Sequence, residues 1–487
     1  MRRLALIAGV LGGTAAVITA TRMYDRSRNL PPTGASLPAG RPAAAAPAGG
    51  AAESGLDPDP AIVHYHFTIA SEADATTLIA QLQARANAPG ASQYDSSDLA
   101  EMYFHRAQVD GNLEDYATAE ALAKKSLAIM PEPNGANLLL AKIMGARHDF
   151  AGAIAIAKAE LAHKASAGAF GILATDYLAI GELDDAAAAA ESMLAIVPST
   201  GGYLTRALVE QAQGRDREAA FDFSRACAVE AYGGVQESTH ARALWGRFLM
   251  KRGDAAGAAM VIDEALRIAP GNPLALAQRG ELWLRTGKVK EARGAFEQAF
   301  ASSRQVRYLI DLARAQALGG DAEGARGSRT QAEKLIRTEL AASGLGHRLD
   351  LVEILADGGT SAGLTEALAL GKAELEHRPS ADVRFQVARV MAGLGLQAEA
   401  AVQVHAILAT GVHDARFYEL ASRVEQGPRA ALYAREARRL DPGGSEWRTL
   451  GLATFAPAPL APAPLAPAPL APAPLAPAPL APAPPAR

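Results

Sequence analysis

One small residue recurs along this chain at an interval that few folds can produce. An alanine returns nine times at a spacing of about 34 residues, each time in the middle of a helix-turn-helix pattern. The members of this alanine series are Ala119, Ala153, Ala186, Ala219, Ala258, Ala292, Ala325, Ala367 and Ala400. A fixed period of this size indicates a solenoid of two-helix units, which is normally a binding surface. The predicted fold class is therefore all-α.

The third unit shows how the local sequence specifies two helices. A first helix is expected from about Ala167 to Ala179, and Gly181 ends it because glycine tolerates the left-handed conformation found there. Asp184 is suited to begin the second helix. Pro198 stops that helix at about Ile196, because proline cannot continue a helical hydrogen-bond pattern. Small residues at the helix crossing allow the two backbones to approach closely.

The fifth and sixth units carry a fuller motif of small and large residues. The motif positions are Trp245, Gly246, Leu249, Gly253, Ala258, Ala265 and Pro270, then Gly280, Trp283, Gly287, Ala292, Phe296 and Ala299. In order and spacing these residues resemble the tetratricopeptide repeat family. The resemblance covers residues 97–442 and implies a right-handed superhelical solenoid of about ten repeats. A short capping helix is expected to follow at 443–455.

Two long intervals interrupt the alanine series. The interval from Ala219 to Ala258 and the interval from Ala325 to Ala367 are each several positions longer than the others. The extra residues fall near Gly233–Thr239 and near Ser343–Arg348. Insertions of this kind either mark a contact site or are tolerated length changes, since added loop length costs little.

The first part of the chain has the composition of a targeting segment and a tether. Residues 1–28 combine a basic start with an uncharged apolar run, which predicts an export signal, either a cleaved peptide or a retained anchor. Residues 29–60 are rich in proline, alanine and glycine, so a disordered linker is expected there. Residues 61–96 are predicted to be a leading helical segment, preferably a helix pair, with a short strand at 62–69 as the alternative.

The last part of the chain, 456–487, is a low-complexity repeat of alanine, proline and leucine. Proline at nearly every second position excludes helix and sheet and favours polyproline II. Leucine recurs every five residues, whereas polyproline II turns once in three, so the leucines form no single stripe. A spacer is preferred over a docking ligand for an aromatic groove.

The residues that carry chemistry are sparse and scattered. The chain has 487 residues, a net charge of −4 and one cysteine, Cys227, which is expected to pack in a helix core. The sequence contains no HExxH, GxSxG or phosphate-binding glycine loop. His64-Tyr65-His66 places two imidazoles on one side of a strand, but no neighbouring ligand completes a metal site. No cofactor, metal site or enzymatic activity is predicted.

The family resemblance implies a groove, because the first helix of each unit lines the concave surface in these proteins. By register, the predicted groove residues are His240, Arg247, Lys251, Leu274, Glu281, Leu284, Arg285, Arg307, Arg314 and Arg389. Basic residues outnumber acidic ones in this set, although the whole chain is acidic. Some relatives clamp a peptide carboxylate in this way, and charge-assisted hydrogen bonds suit that task. We therefore expect an acidic or C-terminal peptide segment as the partner, with a solvated helix face as the alternative.

Taken together, the sequence predicts an exported interaction scaffold that binds a protein or peptide, in the periplasm or anchored to the inner membrane facing it. The alternative is an accessory subunit that positions an enzyme or a polymer in an envelope or secretion assembly. Nothing in the overall charge favours nucleic acid as a partner.

Overall fold

The computed structural model describes residues 57–67, 69, 75–131, 134–343 and 347–442. Within these ranges the chain forms 22 helices and no strand. The segments predicted as an export signal, a capping helix and a low-complexity tail lie outside the described residues, as does most of the predicted linker. Among the helices of the described part, none has both the length and the apolar character needed to span a bilayer.

The first half of the fold contains a short helix, a lone helix and five helix pairs. The helices are α1 (Pro60–Val63), α2 (Ala75–Ala86), α3 (Gln93–Asp110), α4 (Leu113–Ile129), α5 (Ala136–Ala146), α6 (Phe150–His163), α7 (Ala167–Ile180), α8 (Leu183–Ile196), α9 (Thr200–Ala212), α10 (Asp216–Ala228), α11 (Val235–Lys251) and α12 (Ala255–Ile268).

The second half continues as five further pairs. The helices are α13 (Pro273–Arg285), α14 (Val289–Ser302), α15 (Val306–Leu318), α16 (Ala322–Ser343), α17 (Arg348–Gly358), α18 (Ser361–His377), α19 (Ala381–Gly393), α20 (Gln397–Leu408), α21 (Ala415–Val424) and α22 (Gly427–Leu440). Each odd-numbered helix from α3 onward packs against the even-numbered helix that follows it, and each pair packs against its neighbours. The ten pairs are called units one to ten below.

The alanine series lies where the helices cross. All nine alanines sit on the second helix of their unit, and each is completely buried. In unit five, Gly246 on α11 faces this crossing, and a Cβ there would lie 3.4 Å from the carbonyl oxygen of Ala258. The helices therefore approach so closely that only the smallest side chains fit between them. The predicted all-α repeat solenoid is confirmed.

The third unit follows its local sequence signals except at Asp184, which lies in the first turn of α8 and does not cap it, because α8 begins at Leu183 after Glu182. Ser166 begins α7 and its hydroxyl accepts a hydrogen bond from the amide of Ala169. Gly181 ends α7 in the left-handed region, at φ 88°. The second helix ends at Ile196, as predicted.

The hydrophobic core is a chain of clusters and not one central mass. The largest cluster joins units four and five and contains the large side chains Phe223, Trp245 and Phe248. Cys227 belongs to the same cluster, and burial raises the pKa of its thiol to about 12. The expectation that Cys227 is a packing residue is confirmed, since an uncharged and enclosed thiol behaves as a small apolar side chain.

The segment 57–67 crosses the outside of units four and five, where the first insertion lengthens α11. The carbonyl of Val63 accepts a hydrogen bond of 2.7 Å from Nε of Arg242, and the amide of Tyr65 donates to Glu264 at 2.6 Å. Arg242 is fully buried and also pairs with Glu230. Across 61–96, where a leading helical segment was expected, the described residues form the end of α1, the helix α2 and the start of α3, and those at 62–69 form no strand. Here α1 packs on α10 and α12, while α2 packs on α3.

Successive turns of the superhelix touch each other along a line that we call the seam. The turn inside each of the first five units packs on a loop or helix end that follows it in sequence at a distance of about two fifths of the chain length. The facing positions are Gly111 with Gln305, His148 with His347, Gly181 with Pro379, Gly214 with Gly411, and Gly253 with Leu440. One revolution therefore takes between five and six units, and the turns are stacked in contact.

Candidate functional site: the lumen of the superhelix

The interior of the superhelix holds a cavity of about 750 Å³, which we call the lumen. Its wall is formed by the first helices of units three to ten, which are the odd-numbered helices from α7 to α21, together with parts of α14 and α20. Residues from both sides of the seam line it, such as Leu178 on α7 and Pro379 before α19. The volume is typical of a pocket for a small molecule or for a few residues of an extended peptide.

The wall of the lumen carries charges of both signs in nearly equal number. The basic residues are Arg247, Lys251, Arg307, Arg314, Arg378, Arg384 and Arg416. The acidic residues are Glu281, Asp311, Asp350, Glu353, Asp382 and Asp414. The groove predicted from sequence is thus a lumen whose basic character is largely cancelled.

Carboxylates on α17 account for much of this cancellation. Glu353 lies 2.6 Å from Nη1 of Arg307 and 2.5 Å from Nη2 of Arg314. Asp357 lies 2.9 Å from Nε of Arg314 and also pairs with Arg389. Burial would raise the pKa of Glu353, but the charges of Arg307 and then Arg314 outweigh burial and lower it. Arg307 and Arg314 therefore line the lumen, as their register indicated, but their guanidinium groups are engaged with carboxylates of the protein itself.

Arg389 and Arg285 are structural residues outside the lumen wall. Arg389 is 1% exposed, and its guanidinium also contacts Gln386 at 3.3 Å. Arg285 donates to the carbonyl of Met250 at 3.1 Å and lies 3.5 Å from Glu281. The prediction that these two arginines face the groove is wrong, because both side chains fold back onto neighbouring helices.

The inner face of α13 supplies two apolar residues and one acidic residue of the predicted set. Leu274, Leu284 and the carboxylate of Glu281 all line the lumen. The two leucines are only partly buried, and both pack on adjoining core clusters. This side of the lumen therefore offers apolar surface beside one carboxylate, which suits the aliphatic part of an extended ligand.

One face of α11 brings together three more predicted residues. His240, Arg247 and Lys251 are seven and four residues apart, so they lie on the same side of the helix. Arg247 and Lys251 line the lumen, whereas His240 lies beyond its wall. Lys251 is not free, since its Nζ lies 3.0 Å from Oδ2 of Asp414 and both side chains are largely buried.

Arg247 differs from the other cations of the lumen. Its Nε is enclosed and has no hydrogen-bond partner within the described ranges. Burial lowers the pKa of its guanidinium, although the charges of Asp382 and Glu281 oppose that shift. His240, by contrast, is exposed. Within the lumen, α11 thus presents a guanidinium whose Nε has no partner among the described residues.

Several lumen residues escaped the sequence prediction. Asp414 and Arg416 pair with each other at 2.8 Å, and Arg416 also reaches Asp382 at 3.2 Å. Arg384 donates to the side chain of Gln403 at 2.8 Å. Counted back from the alanine at the helix crossing, Asp382 in unit nine occupies the position of His240 in unit five, so the register of α11 would have located it. The same register does not fall on Asp350 or Glu353 in unit eight.

The His64-Tyr65-His66 motif is placed on the outer surface. His64 lies 3.2 Å from Glu264, and Nε2 of His66 is 2.9 Å from the carbonyl oxygen of Ala61. In the part of the chain that the structure describes, no group of three potential ligands is arranged to hold a metal ion. The motif therefore contributes to the attachment of segment 57–67.

The helical repeats themselves decide the type of fold. Ten consecutive two-helix units share one crossing position, which is buried alanine in nine of them, and most turns between the paired helices carry a left-handed glycine. This is the fold of a tetratricopeptide repeat protein. No protein-family model matches the chain, and no characterised protein matches it in sequence.

Solved structures with a similar tetratricopeptide-type arrangement include a hetero-tetramer of APC/C Cut9–Hcn1, at 14% identity and a TM-score of 0.42. That match covers 72% of this chain and 59% of the other, so this chain spans less than two thirds of it. A human IFIT1 dimer with PPP-AAAA matches at 14% identity and a TM-score of 0.44, covering 78% and 94%. A tetratricopeptide repeat protein from Parabacteroides merdae matches at 16% identity and a TM-score of 0.36, covering 50% and 93%. At these identities the similarity concerns the fold alone.

Proposed function

We propose that this protein is a non-catalytic interaction scaffold whose lumen holds an extended acidic segment of a protein partner. The observation that supports the proposal is Arg247, whose Nε is enclosed and lacks a partner among the described residues. The other cations of the wall for which ion pairs are described, such as Lys251 and Arg307, are already held by carboxylates.

Because Nε is enclosed, a carboxylate of the partner would pair with the terminal nitrogens of Arg247, a partly buried residue that lines the lumen. A guanidinium forms two parallel hydrogen bonds with a carboxylate, and such charge-assisted bonds are stronger than neutral ones. A hydrogen bond to a charged group contributes about 1.5–3 kcal/mol, and burial of the Arg247 side chain limits competition from water. Apolar wall residues such as Leu274 and Leu284 would contact the aliphatic parts of the same segment.

Charge reversal at Arg247 tests this proposal. The probe is a fluorescently labelled hexaglutamate peptide with a free C-terminus, and binding is followed by fluorescence anisotropy. We expect Arg247→Glu to weaken binding at least about tenfold, which corresponds to a loss of about 1.4 kcal/mol. Because Asp382 and Glu281 act on the charge of Arg247, the neutral variant Arg247→Gln is measured beside Arg247→Glu, and it should weaken binding in the same direction without adding repulsion between like charges. A C-terminally amidated probe separates recognition of the terminal carboxylate from recognition of the side chains.

Arg326→Glu is the matched control, since Arg326 is exposed on the outer helix α16 and the charge change is identical. Equal binding by wild type and Arg247→Glu would refute the proposal, as would an equal loss in the control. Lys251 and Arg285 are unsuitable for charge reversal, because each is buried against a carboxylate of another unit. Reversing either charge would disturb the fold and the binding site together.

We also propose that the scaffold is exported and remains tethered to a membrane. The proposal rests on the basic and apolar residues 1–28 and on the proline-rich residues that follow. A reporter enzyme that is active only outside the cytoplasm, fused after Pro60, should be active. An active cytoplasmic reporter at the same position would contradict export.

A further inference from the structure

The seam closes the lumen from the side. Gly214 and Gly411 approach so closely that a Cβ on Gly214 would collide with the carbonyl group of Gly411. Gly181 likewise packs on Pro379, where an added Cβ would lie 3.2 Å from the carbonyl oxygen. Residues at both edges of this contact, such as Gly181 and Pro379, belong to the lumen wall. Between the stacked turns, the described residues therefore leave no gap at these positions.

Polar contacts hold the seam shut beside Arg247. Arg252, which is 4% exposed at its side chain, donates to the carbonyl of His413 at 2.5 Å and pairs with Asp216 at 2.6 Å. Nδ1 of His413 lies 2.8 Å from the second oxygen of the same aspartate. Lys251, which precedes Arg252, and Asp414, which follows His413, form a further ion pair across the seam. Separating the turns would break these charged hydrogen bonds together with the backbone packing at Gly214, which disfavours opening.

Water nevertheless reaches the inside of the superhelix. Arg307 keeps 38% of its side chain exposed and Glu281 keeps 30%, although both line the lumen. With the lateral route closed by the seam, the axis of the superhelix is the route left by the described residues.

We infer that the lumen accepts a free chain end that enters along the superhelix axis, and that it excludes an internal loop of a folded partner. The inference deepens the proposed function and rests on it for the identity of the ligand. Its geometric part stands separately, because a loop with folded protein at both ends reaches Arg247 only if the seam opens. The partner class is therefore an unfolded terminus and not a surface loop.

Thiol labelling tests the geometric part without any ligand. Cys227 is buried and its pKa is raised to about 12, so an engineered cysteine should react alone. Leu284→Cys reports on the lumen, and Val402→Cys, at a position 63% exposed on α20, is the outer control. A small maleimide should label both variants. A maleimide attached by a short linker to a folded carrier protein should label Leu284→Cys at least about tenfold more slowly than Val402→Cys.

In the same assay, the variant Arg252→Ala weakens the seam, so that the lumen becomes accessible from the side. Combined with Leu284→Cys, it should restore labelling by the bulky carrier towards the rate of the outer control. Equal carrier rates at both cysteines with the natural seam would overturn the inference, and that arm decides even if Arg252→Ala does not fold.

A pair of peptide probes tests entry of the ligand. Hexaglutamate fused at one end to a small folded domain should bind, whereas the same peptide fused between two folded domains should bind at least about tenfold more weakly. Equal binding of both would overturn the inference. Failure of both probes and of the free peptide, with the labelling difference intact, would instead refute the proposed function.

Discussion

The surroundings of Asp176 on α7 do little to stabilise a negative charge on its carboxyl group. The residue is 6% exposed, and its Oδ2 has no hydrogen-bond partner in the described part of the chain. A Cβ on Gly145 of the preceding unit would lie 2.9 Å from Oδ1, so the neighbouring helix packs directly on the carboxyl group. Burial raises the pKa of Asp176 to about 7.

The raised pKa predicts a pH dependence opposite to that of an aspartate in an ion pair. Between its ordinary value of 3.8 and about 7, the native state keeps a proton that the unfolded state has lost. Stability therefore falls as pH rises through this window. We expect Asp176→Asn to be more stable than wild type at pH 8, on the order of 1–3 kcal/mol, and nearly equal near pH 4. Urea unfolding at the two pH values measures the difference.

Glu191→Gln, at an exposed position away from the ends of α8, is the control for the removal of a carboxylate. A pH-independent effect of Asp176→Asn would contradict the proposed origin of the shift.

The burial of single small residues was the feature of this structure that the sequence predicted best. Nine alanines identified from spacing alone all have zero exposure, because helix crossings leave room for nothing larger. Arg389 shows the limit, since its register was read correctly as the first helix of a unit but its side chain turns inward to Asp357. Spacing determines the side of a helix, whereas the direction of a long side chain depends on charges supplied by other units.

At the level of elements, the turns inside the units divide into two groups. Gly214 and Gly287 occupy equivalent turns and have similar left-handed backbones, at φ 69° and 77°. Gly214 lies in the seam against Gly411, whereas a Cβ on Gly287 would meet no atom within 4 Å. In unit six the left-handed glycine only ends a helix. In unit four the equivalent glycine ends a helix and also joins two turns of the superhelix.

Alanine substitution separates these purposes. Gly287→Ala should lower the free energy of unfolding by about 1–2 kcal/mol, which is the cost of a left-handed conformation for a residue with a Cβ. Gly214→Ala should cost at least about 1 kcal/mol more, because the seam must also shift. Chemical denaturation of the two variants measures both effects. Equal losses would show that the contact at Gly411 adds nothing to stability.

His148 is the exception among these turns, because it holds φ 66° without being glycine. Its ring stacks on Phe150 at 5.5 Å and meets His347 across the seam at 5.3 Å. The side-chain contacts offset the backbone strain, which is the usual reason that such an outlier persists.

Helix α17 shows why part of the site could not be predicted. Its residues Asp350, Glu353 and Asp357 share one face, but the second insertion precedes it and shifts the apparent register. In the structure α16 takes up much of the extra length by extending to 22 residues, so α17 begins as an ordinary first helix. Sequence alone does not say whether an insertion lengthens a helix or a loop. The positions of the acidic residues on α17, and with them the charge balance of the lumen, depend on which of the two occurs.

For the whole molecule, the seam changes how the units depend on each other. A solenoid is usually stabilised by contacts between neighbouring repeats, so its end units open independently. Here unit ten contacts unit five through Gly253 and Leu440, and the loop before it contacts unit four through Gly411. No pattern in the sequence signals these contacts, because the facing residues are far apart along the chain and are mostly glycines and backbone atoms.

Hydrogen exchange tests this coupling. In the natural chain we expect α21 to be protected about as well as α11, because the seam joins them through Lys251 and Asp414. Arg252→Ala should speed exchange in α21 by about tenfold, which corresponds to about 1.4 kcal/mol of lost protection. Arg293→Ala removes only exposed ion pairs on α14 and should leave α21 unchanged. Unaltered exchange in α21 of Arg252→Ala would contradict the coupling.

The seam also sets an order of events in folding. Contacts within and between neighbouring units are local and form quickly, whereas each seam contact must close a loop that spans several units and forms late. During synthesis the N-terminal units emerge first and fold as an open arc. The face of α11 that carries Arg247 is then exposed before α19 to α22 exist to cover it. A partner present while the chain folds would therefore meet an open surface, and the last four helices would close around it.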